Sequence, residues 1–224
     1  MSERLKRVAS FVEKNTILAD IGSDHAYLPC YLVHNKVITK AIAGEVVKGP
    51  FESAQKQVKS EKLEHHIEVR FGNGLAVIQE EDLVETVTIA GMGGPLIASI
   101  LKAGEDKLGT VETLILQPNI HAKVIREWAQ ANDWNIVNEV ILEENDKIYE
   151  IIVLKRGKMV LSDKELLLGP LLIKEKSSIF QKKWSTELKE WERIKEQLQQ
   201  ISSKEVVEKL EELNQKISFV KELL

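Results

Sequence analysis

Up to about residue 155, short apolar runs alternate with longer amphipathic stretches, and each apolar run ends on a glycine, an acidic residue or a proline. Few architectures accept that punctuation. It is the pattern of strands buried in a sheet, each followed by a helix that covers it. Residues 16–21 read as a buried strand ending at Gly22, and residues 40–45 as a second ending at Glu45. Residues 67–70 form a short third before Gly72-Asn73-Gly74, and residues 84–90 a fourth before Gly91-Met92-Gly93-Gly94-Pro95. A fifth, residues 112–117, is stopped by Pro118. Helical spacing predicts helices over residues 4–15, 27–35, 49–60, 95–103 and 121–131. Two further runs, 134–142 and 148–155, flank a polar turn and predict an antiparallel hairpin finishing the sheet. The expected class is therefore α/β, with a Rossmann-like sheet.

After Lys155 the character changes. Arg156-Gly157-Lys158 marks a junction, and helix formers dominate from Lys164 onward. Leu188, Trp191, Leu198 and Ile201 recur at three- and four-residue spacing, as do Val206, Leu210, Leu213, Ile217, Val220 and Leu224. Ser202 stands three residues before Glu205, the spacing of a capping box at a helix start. Together these predict two long helices folded back as an antiparallel coiled-coil hairpin. The expected division is a ligand-binding domain over residues 1–158 and a helical domain over residues 159–224.

Composition narrows the class of partner. With 43% hydrophobic and 29% charged residues over 224 positions, the chain has the make-up of an ordinary globular protein with a full core. No apolar run approaches the roughly 20 residues of a membrane span. The start, Met1-Ser2-Glu3-Arg4-Leu5-Lys6-Arg7, is charged where a secretory signal would be apolar. Cys30 is the only cysteine, which suits a reducing compartment, so the cytoplasm is expected. A net charge of −4 argues against indiscriminate coating of nucleic acid but leaves room for local basic patches. Two such patches stand out: Arg4, Lys6 and Arg7 near the start, and Lys174, Lys176, Lys182 and Lys183 at the opening of the helical region. Arg4, Arg7, Lys174, Lys182 and Lys183 are the candidates for contact with RNA phosphate.

The chemistry gathers at strand ends. Asp20-Ile21-Gly22-Ser23-Asp24-His25 sits where the first strand gives way to a helix, and glycine there lets the chain turn and a ligand approach the backbone. The full G-x-G-x-x-G pattern is absent, since Asp24 takes the place of the second glycine. An acidic side chain there would repel a pyrophosphate, which disfavours a nicotinamide dinucleotide, yet it suits a ligand whose nearby end is a zwitterionic amino acid. Glu45 lies about 20 residues beyond Gly22, placed to accept from a ribose diol. Asn73 offers an amide to an adenine edge, and the glycines from 91 to 94 allow backbone to lie close to a ligand. All four features fall at C-terminal strand ends, where open α/β sheets bind ligands.

These stretches, with Ala26-Tyr27-Leu28-Pro29, Gly44-Glu45-Val46, Gly72-Asn73-Gly74-Leu75, Ile89-Ala90-Gly91-Met92-Gly93-Gly94 and Leu116-Gln117-Pro118-Asn119, resemble the bacterial tRNA (adenine-22-N1)-methyltransferase family. The resemblance spans nearly the whole chain. It implies a class I S-adenosylmethionine-dependent methyltransferase domain followed by a helical coiled-coil domain. It implies cofactor contacts from Asp20, Gly22, Asp24, Glu45, Val46, Gly72, Asn73, Gly74, Ala90, Gly91, Met92 and Gly93. The Asn/Asp-Pro-Pro-aromatic motif of many amino-methyltransferases is replaced here by Ala-Gly-Met-Gly-Gly, so its catalytic assignment does not transfer.

The expected activity is methylation of N1 of an adenine in tRNA, position 22 following from the resemblance alone. N1 is largely unprotonated at neutral pH, so catalysis needs positioning more than a strong base. It lies on the pairing edge, so the base must be unpaired or flipped. Positive charge develops on the base, and Asp24 is the candidate to stabilise it. His25 and Tyr27 would shape or stack on the base, and Asn119 or Gln117 would hold the exocyclic amine. A small-molecule methyltransferase and a non-catalytic RNA or protein interaction module are the alternatives on the same scaffold. His34, His65 and His66 lack a second ligand pair at metal spacing, so no metal site is expected, and the protein is expected to act as a monomer. Trp184 and Trp191, at helical spacing, are expected to pack rather than to stack on bases.

Overall fold

The computed structural model describes residues Met1–Gln200 and Lys204–Leu224, with only the backbone of Lys204. The predicted capping box at Ser202 lies outside the described residues. The chain divides into two compact units, one comprising Met1–Val140 and Tyr149–Met159, the other Ile141–Ile148 and Val160–Leu224.

The first unit is built on a seven-stranded sheet. Its strands are β1 (Leu18–Ile21), β2 (Ala41–Glu45), β3 (Ile67–Phe71), β4 (Thr86–Met92), β5 (Thr113–Pro118), β6 (Trp134–Glu144) and β7 (Lys147–Arg156). They lie in the order β3-β2-β1-β4-β5-β7-β6. The first five are parallel, and β7 inserts antiparallel between β5 and β6. Every residue of β1, β2 and β5 is buried, as strands covered on both faces must be. The order reverses between β1 and β4, opening a crevice above their carboxyl ends. The two-residue turn Asn145-Asp146 joins β6 to β7 with φ of 51° and 60°, the left-handed pair that matches strand twist. The strands thus run closer to the turn than the sequence implies.

Five helices flank the sheet: α1 (Glu3–Ala9), α2 (Tyr27–His34), α3 (Lys48–Ser60), α4 (Gly94–Ala103) and α5 (Ala122–Ala131). The first is a correction, since amphipathic spacing predicts a helix running on to Asn15. Ser2 caps its start by accepting from the Leu5 N–H, but the helix stops at Ser10. Val12 is buried beyond the stop, and Asn15 turns left-handed so that its N–H donates to the Val37 carbonyl at 2.8 Å. Burial of the same apolar residues is reached by a turn instead of a longer helix.

The second unit contains α6 (Asp163–Leu168), α7 (Leu172–Glu175), α8 (Ser178–Leu198) and α9 (Lys204–Lys221). A capping box of Ser162 and Glu165 starts α6, and Ser177 caps α8. Its core joins Ile141, Leu168, Leu172, Phe180, Trp184 and Val220, so the start of α8 packs with the end of α9. Lys221 pairs with Glu192 at 2.6 Å across the same helices. Trp184 and Trp191 pack, with ring centroids 6.0 Å apart. Among the described residues no helix is long and apolar enough to cross a membrane.

Candidate functional site

The carboxyl ends of β3, β2, β1 and β4 stand side by side, so the loops after them share one rim. The loop after β1 is held down by Gly22 and Ser23, whose N–H groups both donate to the Gly44 carbonyl, at 2.9 and 3.2 Å. Gly22 has φ +70°, and a Cβ there would fall 2.1 Å from the Met92 methyl carbon. The backbone angle requires glycine, while the Met92 methyl, at the end of a flexible side chain, marks how closely β4 leans across. Asp24, His25 and Ala26 follow with φ of 28°, 64° and 54°. Three successive left-handed residues without a glycine cost of order 1 kcal/mol or more each, a conformation sustained where structure over-determines it.

That backbone turns Asp24 and His25 outward while Asp20 and Ser23 stay inside. The Asp24 side chain is 74% exposed and lies 3.5 Å from the His25 ring nitrogen. The His25 and Tyr27 rings stack with centroids 5.2 Å apart and planes 14° apart, and Tyr27 remains exposed at the crevice mouth. Asp20 is buried, and its carboxylate accepts from the Ser23 and Thr88 hydroxyls, each at 2.6 Å. Burial pushes the Asp20 carboxyl up to about 6; the two hydroxyls oppose the shift, and the nearby Glu45 charge adds to it. Glu45 is also buried. One oxygen accepts the Asp24 N–H at 3.0 Å, the other the Val46 N–H at 3.1 Å. Among the described residues no cation pairs with either carboxylate, so the floor of the crevice is negative.

The remaining predicted residues line the same rim. Gly72 donates to the Glu45 carbonyl at 2.8 Å, and Asn73 is exposed with no hydrogen bond to its side chain among the described residues. Gly74 adopts φ +55° against Ile100. Val46 is 53% exposed although it directly follows the buried Glu45. On the other side, β4 shifts register between Ala90 and Met92, and Gly91 adopts φ +81°. Gly93 starts α4 as its cap, and the Gly94 N–H donates to the Ile120 carbonyl at 2.9 Å. Asn119 is exposed there; its amide donates to the Gly91 carbonyl at 2.8 Å.

Two features escape sequence reasoning. Thr88 reveals itself as a partner of Asp20 only once β1 and β4 are paired. Arg4, a candidate for contact with RNA phosphate, instead turns its guanidinium onto Gln117 and over the Tyr149 ring, 5.4 Å from its centroid. Gln117, expected as an alternative to Asn119 for holding the exocyclic amine, is instead fully buried, with its amide bonded to Gly91 and Asn119. Arg7 is exposed, its guanidinium over the Phe11 ring. In the helical unit Lys174 is exposed, Lys182 pairs with Glu143 at 2.5 Å, and the Lys183 ammonium lies 4.8 Å from the Trp184 ring centroid. An open depression of about 340 Å³, lined by residues including Ile78, Asp106 and Thr110, lies instead by the loops that lead into β4 and β5. It contains none of the predicted residues.

Comparison with known proteins places the chain in a family. A family model described as tRNA (adenine(22)-N(1))-methyltransferase matches residues 18–222. A Bacillus subtilis (strain 168) protein of that same description is 47% identical, the alignment covering 100% of this chain and 97% of the relative. A Streptococcus pneumoniae protein solved in complex with S-adenosyl-L-methionine is 47% identical, with a TM-score of 0.91 over 100% of this chain and 99% of the other. M. capricolum TrmK, solved with the cofactor product S-adenosyl-homocysteine, is 30% identical, with a TM-score of 0.87 over 99% and 96%.

Proposed function

The chain belongs to the tRNA (adenine(22)-N(1))-methyltransferase family, and on that footing we propose that it methylates N1 of adenine 22 in tRNA using S-adenosylmethionine. The observation that carries the reading is the rim itself: two buried carboxylates without a cation among the described residues, flanked by glycines at left-handed φ, at the point where strand order reverses.

The residues present suit that cofactor. Its ammonium and sulfonium are cationic, and Asp20 and Glu45 supply a negative floor. Glu45 keeps lone pairs beyond those given to the Asp24 and Val46 amides, enough to accept from a ribose diol. The open amide of Asn73 would meet the adenine edge, with Val46 against its face. Gly22, Gly91 and Gly93 admit close approach of backbone, with Gly72, Gly74, Ala90 and Met92 shaping the walls. When bound, the cofactor supplies a methyl group activated as a sulfonium substituent, which passes to N1.

The protein's part is then to place the base. His25 and Tyr27 form a ready-made ring pair at the mouth on which a flipped adenine stacks. Asp24 sits beside them, and burial beneath the incoming base would strengthen its attraction for the positive charge that develops there. Asn119 holds the exocyclic amine. Methyl transfer belongs to residues 1–158. The helices of residues 159–224 form a coiled-coil hairpin that contacts tRNA phosphates through Lys174, Lys182 and Lys183, with Arg7 as a further contact. We place the enzyme, as a monomer, in the cytoplasm.

Incubating unmodified tRNA transcripts with labelled cofactor, then mapping reverse-transcription stops, tests the reading. A single stop at adenine 22 is expected, because N1-methyladenine blocks pairing. Label in no RNA, or a stop elsewhere, would overturn it. Asp24→Ala is expected to lower turnover while cofactor affinity stays within about twofold; unchanged turnover would remove Asp24 from the chemistry.

A further inference from the structure

We propose that Arg4 is a positioning residue that fixes the amide orientation of Asn119 through Gln117, and so sets how the site reads the exocyclic amine of adenine. The inference rests on the placement of Asn119 beside the target base. The observation behind it is a closed ring of hydrogen bonds joining the ends of β4 and β5. Gln117 Oε1 accepts from the Gly91 N–H at 3.0 Å and also from the Arg4 guanidinium. Its Nε2 donates to Asn119 Oδ1 at 3.2 Å, and Asn119 Nδ2 donates to the Gly91 carbonyl at 2.8 Å. The Asn119 backbone N–H closes onto the Met92 carbonyl at 2.7 Å.

A primary amide can flip end for end at no covalent cost, so something must choose its orientation. Gln117 is fully buried, and two donors converge on its oxygen. Flipped, it would aim its NH₂ group at a cation and an N–H, bringing three donors together with no acceptor among them. Arg4 therefore pins Gln117, and Gln117 in turn pins Asn119, since only the Asn119 oxygen can receive its Nε2. Asn119 is exposed on its other side. Its Oδ1 retains one lone pair beyond the bond from Gln117, an acceptor for the exocyclic amine of adenine and a poor neighbour for a 6-carbonyl. Arg4 reaches this position from α1, outside the stretch that the family model matches.

The experiment compares Arg4→Ala and Arg4→Lys with the unaltered protein on tRNA transcripts carrying either adenine or purine, which lacks the amine, at the target position. Arg4→Ala is expected to lower kcat on the adenine transcript about tenfold, the worth of one well-oriented hydrogen bond, and on the purine transcript less than twofold. Cofactor Kd should hold, and Arg4→Lys, which keeps a cationic donor, should restore part of the loss. An equal fall on both transcripts, or no fall on either, would overturn the proposal. Side-chain amide hydrogen exchange of Gln117 and Asn119 in the full chain gives a second readout that needs no turnover. Faster exchange in Arg4→Ala but not in Arg4→Lys is expected; unaltered exchange would defeat the proposal even if the protein methylated no RNA, an outcome that counts separately against the enzymatic reading.

Discussion

Two charged clusters in the first unit invite comparison. Near β6 and β7, Arg126 is fully buried between Glu139 and Glu150, at 2.7 and 2.5 Å. At the crevice, Asp20 and Glu45 are nearly as buried, yet among the described residues they accept only hydroxyl and backbone N–H bonds. The first cluster brings its own cation; the second leaves negative charge to be met from outside. Burial alone does not separate structure from function here. What separates them is whether the charge is answered within the fold.

The difference has consequences for stability. Arg126→Met would strand two buried carboxylates, and chemical denaturation should show a loss of about 3–5 kcal/mol, with cofactor affinity unchanged in the protein that remains folded. Replacing all three residues together (Arg126→Met, Glu139→Leu, Glu150→Leu) should recover most of that loss. A single substitution costing under about 1 kcal/mol would break the comparison. Next in size is Asp20. Its carboxyl is raised in the folded state to about 6, against 3.8 for an unperturbed aspartate, so the folded state binds the proton more tightly than the unfolded chain does. Stability therefore falls as pH rises through this window, and the penalty is complete above about 6. The difference amounts to about 3 kcal/mol. Asp20→Asn should flatten that slope in denaturation curves measured from pH 4 to 7, and a slope as steep as before would assign it to other groups. A cation bound beside Asp20 favours its ionised form, so cofactor affinity in the unaltered protein should rise with pH through the same window.

Much of this site is legible in the sequence because glycines and acidic residues at strand ends are local features. Gly22, Glu45, Asn73 and Gly91 are each read from their own neighbourhood, and sheet order alone then brings them to one rim. The Arg126 triad is not legible in that way. Its members lie in α5, β6 and β7, and nothing in the residues around Arg126 marks it as a core cation instead of a helix-surface charge. Arg4 is hidden for the same reason: its partner is 113 residues away, across a fold that must exist before the contact has meaning. Helix α1 shows the complementary failure, since amphipathic spacing cannot distinguish a long helix from a short one followed by a turn that buries the same valine. Sequence reports what each segment offers. Pairing between segments decides what is used.

The smallest of these effects concerns Glu45, and it sharpens the comparison most. Glu45→Gln removes the charge but keeps one acceptor, so either the Asp24 or the Val46 N–H retains a partner. If Glu45 were a structural residue like Glu139, the change would appear chiefly as lost stability. If its charge is kept for a ligand, folding should weaken by no more than about 1 kcal/mol, the net worth of one hydrogen bond. Cofactor binding should then weaken by roughly 10- to 100-fold, the range for hydrogen bonds from a ribose diol to a charged acceptor. Calorimetric titration of S-adenosyl-homocysteine into both proteins, alongside denaturation of each, gives the two numbers. A large stability loss with little change in Kd would move Glu45 into the same class as Glu139, and the negative floor of the crevice would then rest on Asp20 alone.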